Sequence, residues 1–272
     1  MAGIGSKKWS GIYGSMLQVD NANTGVDTTI RTIKDGAGND SSVSMSKNKA
    51  LIKPSASDST TAFQVKNNSG NALLTVDTTN NKVLAGTTQV AVNVHFAYFG
   101  VNHINSANWI ANTHQPVRFM NNGYTDTTFD DLHFNTNTAD PSSSFIVANI
   151  TGFRSNQLLP YLWYVPSDIY IEEVTHIQGC TGTSSSTDTT RMHLMKYNYT
   201  PNSSNILTSG VVVANTSSDT TATHAAKTNK NVWTVDTSNN SVSGGQVCVC
   251  TFRSDTVNND YSLSVIVKYR LA

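Results

Sequence analysis

The sequence predicts an all-β protein, in which a region of very short strands is followed by a jelly-roll-like β-sandwich. Three observations carry that prediction. Segment after segment alternates apolar and polar residues with period two and is closed by Gly, Asn or Asp, the pattern of strands joined by tight turns. Thr, Ser and Asn stand where helical proteins carry Lys and Glu, and no Ala-Leu-Glu-Lys run occurs; Thr favours strands, while Asn and Ser favour turns. After residue 88 the strands lengthen and aromatic residues become denser, as expected where a larger core begins.

The stretch 62–86, AFQVKNNSGNALLTVDTTNNKVLAG, organises the first region. Phe63 and Val65 alternate with Gln64 and Lys66, residues 67–71 supply a Gly-centred turn, and residues 73–76 form the next strand. Thr79, Asn80 and Asn81 turn the chain again, and residues 82–85 return. Strands this short bury too little apolar surface to be stable alone, so another domain or further copies of the same chain must cover them.

The pattern F-x-V-x-N-x-x-G-x-x-L-L-x-V-D-T-x-N-x-x-V at 63–83 resembles the small β-repeat found near the shafts of tailed-phage fibre and spike proteins. The resemblance implies a homotrimer in which the short strands of three chains intertwine around one axis. Phe63, Val65, Leu73, Leu74, Val76 and Val83 are then the candidate trimer-interface residues. A second pattern, W-x-x-x-x-G-x-M-L-Q-V-D-N-x-N-x-G-V-D-T-T-x-R-T-x-x-D-G-x-G at 9–38, resembles the modular N-termini of phage structural proteins, where one anchoring module precedes varied distal domains.

Taken in order, residues 1–40 are expected to form an N-terminal virion-anchoring module, with Trp9 and Tyr13 as anchoring candidates in a Gly/Ser-rich terminus. Residues 35–40 read as a flexible joint or tight turn. Residues 41–87 read as the short-stranded shaft, with further strands at 43–45 and 50–52. Residues 88–272 read as the sandwich head. Its densest apolar cluster is LLPYLWYVPSDIYIEEV at 158–174, with a core strand at 161–165 and another at 169–174. Low-complexity loops are expected at 179–190 and 215–230, with a helical turn near 223–227. Clean alternation at 246–253 and 261–271 closes the domain. About eight to ten strands joined by uneven loops fit a jelly roll.

Composition narrows the function. Only 13% of residues are charged and the formal net charge is +0, which argues against a nucleic-acid partner. Such a surface suits a permanent part of a large assembly, or contact with a neutral glycan. The three cysteines Cys180, Cys248 and Cys250 show no disulfide framework, and two of them sit at i and i+2 on one strand face. Free thiols, with neither signal peptide nor membrane-spanning run, fit a virion component made in a reducing cytosol and released by lysis.

No constellation points to catalysis. The seven histidines show no metal-binding spacing, although His176 or His193 could each bind an ion three-fold on a trimer axis. Asp130-Asp131 and Glu172-Glu173 are sequence neighbours, so their carboxylates point to opposite strand faces. There is no G-x-S-x-G elbow, and the Asn-rich 20–25 segment lacks the carboxylates of a calcium loop. Tyr161, Trp163 and Tyr164 could form a sugar-stacking platform, yet their apolar run favours core packing. Tyr197, Tyr199 and the 215–230 segment are better receptor candidates.

These readings combine into one expectation: a non-enzymatic structural protein of a tailed-phage virion, a trimeric fibre or spike involved in host attachment. Its partners would be further copies of itself, other virion proteins through the N-terminus, and a host surface glycan or protein through the head. No cofactor, metal, nucleic acid or membrane insertion is expected. The alternative is a capsid decoration, cement or head-fibre protein that stabilises the shell.

Overall fold

The computed structural model of the chain describes residues 17–19, 25–88, 90–104, 110–120, 132–134, 140–144, 146–147, 158–181, 188–203, 207–217, 219–221, 227–256 and 259–272. Trp9 and Tyr13, the Asp130-Asp131 pair and most of the expected 223–227 helical turn lie outside the described residues. The chain divides after Asn93 into two compact units.

The first unit consists of two antiparallel meanders. Strands β1 (Gln18–Val19), β2 (Arg31–Lys34), β3 (Asp40–Met45) and β4 (Ala50–Ile52) form one four-stranded sheet in chain order. Strands β5 (Phe63–Lys66), β6 (Ala72–Asp77), β7 (Lys82–Ala85) and β8 (Val90–Ala91) form the other. The hairpins are fixed by Asx turns, in which a short polar side chain takes up the backbone N–H groups that the ladder leaves over. Asp35 accepts the backbone N–H groups of Ala37 and Asn39 and the Asn39 side-chain amide, each at 2.9 Å. Asn67 accepts those of Ser69 and Asn71 at 3.0 and 2.9 Å, with Gly70 supplying the left-handed φ of 82° that side-chain-bearing residues avoid. Asp77 accepts the Asn80 backbone and side-chain N–H groups at 2.9 and 2.7 Å. Those bonds, the Asn side-chain amide foremost, hold the Asp35 and Asp77 carboxyls below the usual carboxylate range.

Two expected boundaries move. Residue 40 falls inside the β2–β3 hairpin, where Lys34 pairs with Asp40, so a module ending there would cut a sheet. The apolar run that begins near residue 88 is split: β8 pairs with β7, and the Asn93 side chain donates to the Asn81 carbonyl at 3.0 Å. The sandwich therefore starts at Val94. The strands expected to intertwine between chains make their ladders within one chain.

The second unit contains β9 (Val94–Ile104), β10 (Gln115–Val117), β11 (Leu132–His133), β12 (Ile146–Val147), β13 (Trp163–Tyr164), β14 (Ile169–Cys180) and β15 (Thr189–Tyr199). There follow β16 (Leu207–Asn215), β17 (Thr220–Thr221), β18 (Asn229–Val232), β19 (Thr234–Val235), β20 (Ser241–Val242), β21 (Val247–Ser254) and β22 (Tyr261–Leu271). One sheet has the order β18-β14-β22-β9, with β20 added on β14. The other has the order β10-β21-β15-β16-β19, with β13 on β21 and β17 on β15. Numbering the main strands β9, β10, β14, β15, β16, β18, β21 and β22 from one to eight gives 1-8-3-6 and 2-7-4-5. First pairs with eighth, second with seventh, third with sixth and fourth with fifth. This is a hairpin of hairpins rolled on itself, the jelly-roll sandwich the sequence predicts.

The two inner faces meet in one core. Ala97, Phe99, Val174, Val265 and Val267 come from the first sheet, and Met192, Leu194, Cys248, Cys250 and Phe252 from the second. Both cysteines point inward, as their i, i+2 spacing requires, and burial pushes the Cys248 thiol up to about 12. Polar bolts cross one end of the core: Thr190 donates to Gln178 at 3.1 Å, and the Ser254 and Tyr261 hydroxyls share a hydrogen bond at 3.1 Å.

Several expected elements change extent. The 161–165 strand shortens to β13, because Pro160 opens a 3-10 turn over Leu159–Tyr161. The 179–190 loop is narrower, since β14 runs to Cys180 and β15 starts at Thr189, which Asp255 ties down through two 2.8 Å bonds. The 215–230 segment carries β17 and the start of β18. Trp233 divides β18 from β19 by turning its indole into the core. Beyond it, T-V-D-T-S-N-N at 234–240 repeats the T-V-D-T-T-N-N of 75–81. Asp236 makes the same turn, accepting from Ser238 and Asn239 at 3.0 and 2.7 Å. In the first unit the turn closes a hairpin; here it carries the chain from one sheet to the other.

Candidate functional site

Strand register decides which side chains of the first unit share a face, because directly opposite residues in an antiparallel ladder point the same way. In the β5–β8 sheet the pairs are Phe63–Val76, Val65–Leu74, Leu74–Ala85, Val76–Val83 and Ala85–Val90. One face is therefore apolar throughout. The other carries Gln64–Thr75, Asp77–Lys82 and Thr75–Leu84. Five of the six interface candidates, Phe63, Val65, Leu74, Val76 and Val83, meet on the apolar face. Leu73 falls on the opposite face with Thr75, one residue out of phase. Ala85 and Val90 belong to the apolar face and were missed, because only the register links them to it.

The described residues leave that face open. Val65 is 44% exposed and Val90 62%, and Phe63, Leu74, Val76, Val83 and Ala85 are half-buried. The buried members of this sheet are Thr75 and Asp77, on the polar side. In the β1–β4 sheet the pairs Val43–Ile52 and Met45–Ala50 share one side, with Ile52 exposed. Among the described residues, no hydrophobic side chain before Ala97 is buried. The polar side of β1–β4 forms an open cavity of about 330 Å³ lined by Thr32, Asp40, Ser41, Ser44 and Lys53, with Leu51 and Pro54.

The second unit answers the remaining candidates. Trp163 and Tyr161 are buried, with Trp163 stacked on Phe119 at 5.9 Å between ring centres and 5.1 Å from Tyr269. Tyr164 alone of the three is exposed, edge-on to Tyr199 at 6.3 Å. This aromatic run is core, as its apolar setting suggests. Tyr197 is fully buried and donates its hydroxyl to the Ser142 carbonyl at 3.0 Å, which removes it as a receptor contact. It lies on the outer side of its sheet, where Phe134 and Leu158 cover Met195, Val247 and Val249 in a second core. Sequence alternation places Tyr197 outward but says nothing of the chain that returns to cover it.

Neither His176 nor His193 can face an axis between chains, since both are fully buried in the sandwich. His176 Nδ1 accepts the Trp233 indole N–H at 2.6 Å, and burial pushes its pKa down to about 4. His193 Nε2 lies 3.0 Å from Asp140 and edge-on to His114 at 4.9 Å between ring centres. Burial pushes His193 down as well, against the pull of Asp140. Nearby, the register pair Arg191–Arg253 would set two like charges side by side, and Asp219 reaches both, at 3.6 and 2.9 Å. Arg253 also donates to Asn112 at 3.0 Å. Buried Arg253 and half-buried Arg191 are thus paired through the more exposed Asp219. Among the described residues, no three His, Cys, Asp or Glu side chains form a group that could hold a metal ion, and no helix is long and apolar enough to cross a membrane.

Compared with known families and curated proteins, the chain matches no family model and no curated sequence. The features that define a candidate site are therefore its own: an apolar sheet face left open in the first unit, and a closed jelly-roll sandwich in the second.

Proposed function

We propose that the chain is a non-enzymatic structural component of a tailed-phage virion, a homotrimeric fibre or spike subunit that serves host attachment. The observation that carries this reading is the open apolar face of β5–β8, built from the residues that resemble the phage shaft repeat. A face of seven apolar side chains spread over four strands is costly to leave in water. Packing it against the same face of two further copies would remove that cost and shield the short sheet edges. Residues 1–40, with Trp9 and Tyr13, would join the protein to other virion proteins. The sandwich would face the host surface, a glycan or a protein. Neither cofactor nor metal enters this reading, and neither nucleic acid nor membrane is a partner.

Immunogold labelling of phage particles tests it directly. Label on the tail supports the fibre or spike assignment, label on the capsid moves the chain to shell decoration, and particles without label overturn both. Sedimentation of the purified chain tests the trimer. Phe63→Asp should dissociate it, whereas changes at the exposed Lys227 or Thr228 should not. A chain whose mass is unaffected by Phe63→Asp would remove the apolar face from the assembly.

A further inference from the structure

We propose that the outer face of the β18-β14-β22-β9 sheet is a second self-association surface, on which the sandwich of another copy packs. The identity of the occupant rests on the assembly reading above; the face itself does not. Register places Tyr98, Ile266, Thr175 and Val232 in one row across all four strands, on the side away from the core. Phe96 and Ile177, two positions along β9 and β14, extend the row on the same face. Their strand neighbours Ala97, Phe99, Val265 and His176 point inward and are buried. Of the outward members, Val232 is 63% exposed, Phe96 52%, Tyr98 49% and Ile177 40%, Ile266 is half-buried, and Thr175 is buried.

The size of this patch selects the kind of partner. With a whole aromatic side chain worth about 150–250 Å², the exposed fractions sum to roughly 400 Å² of apolar surface. A standard protein interface buries about 800 Å² per partner, of which somewhat over half, roughly 450 Å², is apolar. The row thus supplies nearly the whole apolar share of one side. Phe96 and Tyr98 bring rings, but Ile177, Val232 and Ile266 beside them offer neither the rings nor the hydrogen-bonding groups that a sugar platform needs.

Charge favours an identical copy. Beside the row, Glu172 pairs with Lys268 at 3.4 Å and Arg270 at 3.6 Å, and Arg270 lies over the Tyr170 ring at 4.3 Å. With Glu173 the band holds two acids and two bases and sums to zero, and exposed Lys230, opposite Ile177 in the register, leaves the whole face one charge from neutral. It attracts neither an acidic nor a basic partner and does not repel its own copy. The opposite sheet differs, because its outer face is already covered by Phe134 and Leu158 from the same chain.

The experiment compares two double variants of the full chain by sedimentation equilibrium. Val232→Glu with Tyr98→Glu should weaken association about a hundredfold or more, as burying charge at central interface positions does. The milder pair Val232→Thr with Tyr98→Ser should shift it in the same direction, and neither should change the melting of the sandwich, because both sites are exposed. Val65→Glu with Val90→Glu reports on the β5–β8 face separately. If only the latter pair dissociates the protein, the present proposal is overturned and the assembly reading stands. If only the sandwich pairs do so, the reverse holds. A wild-type chain that stays monomeric at about 100 μM overturns both. Loss of retention on immobilised neutral glycans with unchanged mass would make the face a carbohydrate platform and overturn self-association there.

Discussion

Replacing His176 with Asn should flatten the acid sensitivity of the sandwich. The imidazole is buried between the sheets, and its Nδ1 accepts the Trp233 N–H at 2.6 Å. An indole N–H can only donate, so this bond exists only while Nδ1 is unprotonated. Burial and this geometry agree in keeping the ring neutral, and the folded pKa falls from 6.5 to about 4. The unfolded chain therefore binds a proton at higher pH than the folded one. Stability from this site is fully present above about pH 6.5, declines as pH drops, and is lost once pH passes below about 4. A gap of about 2.5 units at 1.36 kcal/mol each is worth roughly 3 kcal/mol across that window. Asn can still accept from Trp233 through Oδ1 but does not titrate. Urea unfolding followed by tryptophan fluorescence from pH 7.5 to 4 should show the wild type losing about 3 kcal/mol more than His176→Asn. The variant should gain on the wild type by that amount as pH falls. An NMR titration of the His176 ring gives the direct check. A ring that titrates near 6.5 in the folded protein, or equal pH slopes for both proteins, would refute the buried neutral imidazole.

Gly210→Ala should destabilise the sandwich by about 1–3 kcal/mol, because a Cβ there meets the Tyr197 ring and the Ser143 carbonyl; thermal melting reads the loss. Asp219→Asn should cost about 1–3 kcal/mol in urea by leaving Arg191 and Arg253 side by side with their shared counter-charge removed, and added Arg253→Met should recover part of it. In a thiol-reactivity assay on the native protein at pH 8, Cys180 should react first. Cys248 and Cys250 should react only on unfolding, because burial raises both thiols.

What the sequence made legible was local. The Asn67–Gly70 and Asp77–Asn81 turns are visible because Asx and Gly chemistry is written within a few residues, and the inward pair Cys248 and Cys250 follows from alternation alone. What it hid was non-local. Val90 looks like the start of the sandwich because Val90, Val94 and Phe96 form one apolar run; only pairing with β7 assigns Val90 to the first unit. Tyr197, His176 and His193 read as available because a strand pattern shows which side a residue points to, not what covers that side. The cover over Tyr197 comes from Phe134 and Leu158, far away in the chain. Leu73 and Leu74 are both interface candidates by sequence, yet adjacent strand residues face opposite ways, and only the register with β5 and β7 places Leu74 on the apolar face and Leu73 on the other.

The two units use the same strand chemistry to opposite ends, and length explains the difference. In the sandwich, strands such as β14, β15 and β22 place several inward residues each, so two sheets enclose Phe99, Leu194 and Val267 completely within one chain. Strands of the β5–β8 sheet contribute at most three residues apiece to their apolar face, and the four-stranded β1–β4 sheet of the same unit leaves that face unburied among the described residues. The repeated T-V-D-T-[TS]-N-N turn makes the contrast sharp. At 234–240 it bridges two sheets and leads Val242 into a closed core; at 75–81 it folds one sheet back on itself and leaves Val76 and Val83 half-buried. On the proposed reading, another copy of the chain supplies the surface that completes this second arrangement.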